Sequence, residues 1–180
     1  MTSSTGRISI ASGVFAAFGV AFLVPMYTSF AIGATSIGLV SGRINDVLIM
    51  IAYLLAIPSV FALHELLRPR WPTLSRVLLV VGIGAIIAIV ILQALLVAGV
   101  LTFEEEVGPV LIALLVLGVW FIATGYLGRS IGVLPRGARM GVLAATYIGY
   151  PIWAIWLGRR LIMMALASPA QRHPVIPMEE

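Results

Sequence analysis

The chain has 180 residues, of which 61% are hydrophobic and only 10% charged, with a mean hydropathy of +1.13 and a formal net charge of +4. A soluble domain carries about 25% charged residues, so this inventory cannot coat a water-facing surface and points to a membrane domain. Cysteine is absent and all eleven basic residues are arginine, which excludes disulfides, thiolate metal sites, a cysteine nucleophile, a Schiff-base lysine and a Walker A lysine.

The first residues, MTSSTGRI, are polar with one charge at Arg7, and the long apolar stretch after them predicts a first span over 9–33. It is too long for a typical signal-peptide core and lacks a good A-x-A site, so an uncleaved span is preferred. Pro25 is expected to kink it or end its regular part. The segment TSIGLVSGRIN reads as a loop leading to Asp46, a plausible N-cap for a second span over 46–66. Pro69 and Pro72 close that span, and Arg68, Arg70 and Arg76 follow as a basic face beside Trp71. A third span over 77–101 is almost entirely aliphatic, with Gln93 its one polar exception. TFEEEV makes an acidic turn whose glutamates also favour the start of a fourth span, over 108–128. The fifth covers 138–158 and is joined to the fourth by RSIGVLPRGAR. Each run of about 20 residues matches a hydrocarbon core of about 30 Å. The fold class expected is therefore all-α, a five-span transmembrane bundle forming one domain over 1–165, with a disordered Pro-rich tail over 166–180.

Five spans put the termini on opposite sides. Arg7, Arg68, Arg70, Arg76, Arg129, Arg136 and Arg139 share one side; Arg43, Arg159, Arg160, Arg172 and the glutamate turn share the other. The positive-inside rule makes the first side, and the N-terminus, cytoplasmic. The pair Arg159-Arg160 opposes this assignment, and a re-entrant last segment or a sixth span would remove the conflict.

Ionisable residues within a membrane mark ion paths and proton relays, and none is placed in the hydrocarbon region, since Asp46, His64, Glu65 and Arg139 fall at the ends of the spans as drawn. His64-Glu65, with Arg68 after it, reads as a solvated helix end rather than a metal or acid–base site, since the other histidine, His173, lies in the tail. No metal, cofactor or catalytic constellation is expected, and the arginines at span ends suit headgroups rather than nucleic acid. Measured from the span midpoints, Tyr53, Gln93 and Tyr150 fall about 4.5, 6 and 3 Å towards the outer side, with Tyr27, Tyr147 and Thr146 near in depth. Tyr53, Gln93, Tyr147 and Tyr150 thus form a candidate polar pocket in the outer half of the bundle, or else cross-link helices. Trp153 and Trp156 read as interfacial anchors. Gly137, Gly141, Ala145 and Gly149 make a small-residue stripe that permits close helix packing, echoed at Gly13, Ala17 and Ala21.

The loop residues Arg129-Ser130, Gly132 and Leu134-Pro135-Arg136, with Ile131 ahead of the glycine, join two late spans. In this the segment resembles the helix–loop–helix of small bacterial multi-pass membrane proteins of unknown function. Such proteins often have six spans, which implies a multi-pass protein of the bacterial inner membrane and no transferable activity. The leading expectation is a non-enzymatic membrane protein, an accessory subunit or homo-oligomer held by helix packing, partnered by the bilayer and by itself or another subunit. The alternative is a carrier or receptor for a lipid, quinone or other small amphiphile in the outer-half pocket.

Overall fold

The computed structural model describes residues 3–167. Six helices follow one another, with no strand among the described residues: α1 Ser3–Ala31, α2 Thr35–Leu67, α3 Pro72–Val97, α4 Phe103–Ser130, α5 Gly137–Ala144 and α6 Gly149–Ala167. An all-α bundle is thus the observed fold. The first four helices are long and apolar enough to cross a membrane, and the chain is an integral, multi-pass membrane protein.

Consecutive members of α1–α4 run antiparallel through short turns. Gly33, with φ of 78°, turns α1 into α2 in a left-handed conformation that glycine adopts without steric cost. At the next hairpin Thr102 caps α4: Glu105 N–H donates to its side chain, and its own N–H donates to Glu105 Oε2 at 2.8 Å. This capping box starts α4 at Phe103, five residues ahead of the expected 108, with the three glutamates in its first turn. Pro72 opens α3 instead of merely closing α2, because a first-turn residue needs no intrahelical N–H partner.

Two expectations need correction. The segment read as a loop before Asp46 is helical: α2 begins at Thr35 and runs 33 residues, so Asp46 is not an N-cap but lies about three turns inside. Packing decides this against local preference. Gly38 faces the Phe30 ring, Gly42 faces Met26, and Gly19 of α1 faces Asn45 and Ile49, so small residues let the two helices approach closely. On α1 the buried small face is Gly6, Ser9, Ser12, Gly13, Ala16 and Gly19, whereas Ala17 and Ala21 are exposed.

The second correction concerns the span over 138–158, which is broken in two. Residues 145–148 leave the helix between α5 and α6. Thr146 Oγ1 donates to the Leu143 carbonyl at 2.7 Å and accepts from Gly149 N–H at 3.0 Å. Pro151, third in α6, again needs no partner in a first turn. Gly149 passes so close to the Leu143 carbonyl that a Cβ could not be placed there.

The two halves then run in opposite directions. α5 climbs antiparallel to α4: Gly137 packs on Gly125, Gly141 on Phe121 and Ala145 on Gly118. α6 descends antiparallel to α1: Tyr150 meets Ser12, Ala154 meets Ser9, and Gly158 meets Gly6. Together α5 and α6 enter from the end of the bundle where α1 begins, reach about mid-height, and return to it. They form a re-entrant hairpin, not a fifth crossing. Arg7, Arg68, Arg70, Arg76, Arg129, Arg136, Arg139, Arg159 and Arg160 are thereby gathered at one end, nine of the eleven arginines, which removes the conflict over the pair at 159–160. The tail over 168–180, with Arg172 and His173, lies outside the described residues.

Candidate functional site at the re-entrant tip

Irregular backbone at membrane depth survives only where protein or a polar cavity satisfies it. At the tip, 145–148, side-chain bonds supply part of this, although Ala145, Thr146 and Ile148 are exposed. Tyr147 O–H donates to Asn45 Oδ1 at 3.0 Å, tying the tip to α2, and the Asn45 amide donates in turn to Asp46 Oδ1 at 3.1 Å. Just beyond the tip, Tyr150 and Ser12 share a buried hydroxyl–hydroxyl bond of 2.6 Å, while Ser12 lies 2.7 Å from the Ala52 carbonyl. Ser9 donates to the Ala154 carbonyl at 2.8 Å. Interhelical bonds of this kind are worth about 0.6–2 kcal/mol each, so the set ties α6 to α1, α1 to α2 and the tip to α2.

Beneath these bonds lies an aromatic cluster. Tyr53 and Tyr150 have ring centroids 5.2 Å apart, Phe121 lies 4.5 Å from Trp153, and Trp120 lies 6.4 Å from Trp153. Trp153 is therefore buried in the core and is not the interfacial anchor expected; helix breakage turned its face inward. Trp120 N–H donates to the Leu78 carbonyl at 2.6 Å and fixes α4 on α3.

A cavity of about 200 Å³ adjoins the tip, lined by Tyr53, Leu114, Leu117, Phe121, Thr146 and Tyr147 among others. Two acidic side chains, Asp46 and Glu106, lie beyond its lining. Glu106 lies two turns above Leu114 on the same face of α4, and the Asp46 carboxylate is near enough to act on it electrostatically. Glu106 is 2% exposed, and its Oε1 has no hydrogen-bond partner among the described residues. Arg43, one turn from Asp46 on α2, is exposed and forms no ion pair with it.

Of the four residues proposed from depth alone, Tyr53 and Tyr147 line the cavity at the tip, and Tyr150, just beyond the tip, packs on Tyr53. Gln93 does not join them: no hydrogen bond or ring contact links it to a tyrosine, and its Oε1 is buried without a partner among the described residues. Tyr27 is 65% exposed. Asn45, Asp46, Ser12 and Glu106 were not anticipated. Asp46 was hidden by the misplaced start of α2, and Glu106 by being read as part of a turn. At the basic end, His64 is mostly buried, with Nδ1 3.0 Å from the Ser75 carbonyl, so it pins the α2–α3 turn as well as lying beside Glu65. Among the described residues no group of three metal-ligating side chains occurs.

No protein-family model matches the chain, and no curated protein or solved structure matches it.

Proposed function

We propose that this integral membrane protein is a carrier for a small cationic or amine-bearing solute, with the re-entrant tip as its binding level. The observation that carries this reading is the helix break at 145–148, held by Tyr147 on Asn45 beside Asp46 and bordering a cavity. Broken helices place polar backbone and side chains at mid-membrane depth, which is what a translocated solute must meet there. The cavity itself offers phenols and the Thr146 hydroxyl, and the Asn45 amide with the carboxylates of Asp46 and Glu106 lies beyond its lining, a set suited to a cation or hydrogen-bond donor. Size decides against the larger amphiphiles: drug-sized ligands occupy about 300–1,000 Å³, whereas this cavity holds about 200 Å³.

An accessory or homo-oligomeric role has less behind it, because Gly137 and Gly141 turn their small face to α4 of the same chain. The reading is non-enzymatic. It places the basic end, with both ends of the described chain, on the cytoplasmic side of a bacterial inner membrane, following the nine clustered arginines.

The test is uptake of a panel of small monovalent cations and amines into liposomes bearing the purified protein. One solute is expected to accumulate above protein-free liposomes, and Asp46→Asn or Tyr147→Phe to reduce its rate at least ten-fold. Uptake by both variants equal to the parent protein would overturn the assignment.

A further inference from the structure

A second concavity lies at the opposite, basic end, between α6 and the loop joining α4 to α5. Its volume is about 710 Å³, within the range of pockets that hold amphiphiles. The α6 wall is one continuous helical face, Ile152, Ile155, Trp156, Arg159, Arg160 and Met163, and Pro135 with Arg136 stands opposite. The order along α6 is that of a lipid. Ile152 and Ile155 lie nearer mid-bundle, Trp156 follows, and the arginines come out towards the basic end. No acidic side chain lines the groove, and none of its three arginines forms an ion pair among the described residues. Arg160 Nε is buried without a hydrogen-bond partner among the described residues. A guanidinium N–H shielded from water and left unbonded is costly, so the site calls for an acceptor beyond the described residues.

We infer that this groove holds one anionic phospholipid of the basic-end leaflet, its phosphate on Arg136, Arg159 and Arg160 and an acyl chain along Ile152 and Ile155. Guanidinium recognises phosphate through paired, charge-assisted N–H···O bonds, and basic pockets between membrane helices are suited to anionic headgroups. The apolar wall distinguishes a lipid from a free anion, which would leave Ile152, Ile155 and Trp156 uncovered. This inference is independent of the solute site, which lies at the tip on the far side of α6.

The experiment is native mass spectrometry of the full-length protein in detergent, titrated with phosphatidylglycerol, phosphatidylcholine or inorganic phosphate, alongside melting temperatures. One phosphatidylglycerol per chain is expected to persist with a raised melting temperature, and phosphatidylcholine to dissociate. Arg136→Gln/Arg160→Gln is expected to lose that retention at least ten-fold, and Arg43→Gln, at the other end, to keep it. Equal retention of both lipids, unchanged retention in the double variant, or the same stabilisation by inorganic phosphate would each overturn the proposal. So would phosphatidylglycerol binding that arises only after residues 168–180 are removed, since the tail would then be the occupant. Should the double variant fail to fold, Arg159→Gln alone, on an exposed side chain, gives the same reading.

Discussion

Two helical hairpins in this protein start from similar ingredients and end differently. α1–α2 and α5–α6 both carry small-residue faces and prolines, yet the first crosses the bundle and the second turns back at mid-height. In α1 and α2, Pro25 and Pro58 sit deep within continuous helices. In α6, Pro151 sits in the first turn, behind Thr146 and Gly149, where a hydroxyl replaces the missing helical bonds and a glycine permits the close turn. Proline alone therefore does not end α1 or α2, and the chain breaks where side-chain capping and glycine coincide with it.

The severest way to break the difference is at the contact between α4 and α5. Gly141→Leu would drive a side chain into the Phe121 backbone, which cannot yield as a flexible side chain would. Overpacking typically costs about 1–3 kcal/mol and more against backbone, so loss of a cooperative melt in detergent is expected, whereas Gly84→Leu, at an open position, should melt like the parent.

Next in size is topology. Because the native chain has no cysteine, single-cysteine variants report accessibility cleanly. Cysteines at Ser4 and at Ala167 should label from the same side of sealed vesicles, and labelling from opposite sides would restore a fifth crossing.

Smaller effects separate the two hairpins' polar ties. Tyr150→Phe removes the bond to Ser12 and should lower stability by about 0.6–2 kcal/mol. A shift of that size in the melting midpoint checks it. The smallest concerns the third hairpin: Thr102→Ala abolishes the capping box and should cost about 1 kcal/mol by the same assay.

The all-helical membrane architecture was legible because run length and hydropathy are properties of local sequence. Depth is partly legible too: helical rise alone puts Tyr53, Tyr147 and Tyr150 at similar levels, and in the structure Tyr53 and Tyr147 line the cavity while Tyr150 packs on Tyr53. The start of α2 was not legible, since Gly38 and Gly42 look like loop residues until Phe30 and Met26 are seen against them. The helix break left a readable trace in Thr146, Gly149 and Pro151, but uniform hydrophobicity across it masks any change of direction. Gln93 shows the limit of depth as a guide. Rise along a helix fixes level, and only packing fixes which way a side chain faces.

The return of α6 to the face where α1 begins also orders events in time. Ser9 waits for a carbonyl 145 residues later in the chain. At about 5–20 residues per second of synthesis, that is about 7–30 s during which α1 is already made and its partner is not. Through that interval the Gly6–Ser9–Gly13 face of α1 lacks the surface it will finally cover. Since α5 and α6 do not cross the membrane, they are not delivered as a threaded span. They are the last pieces to dock, and α1–α4 must hold together long enough to receive them.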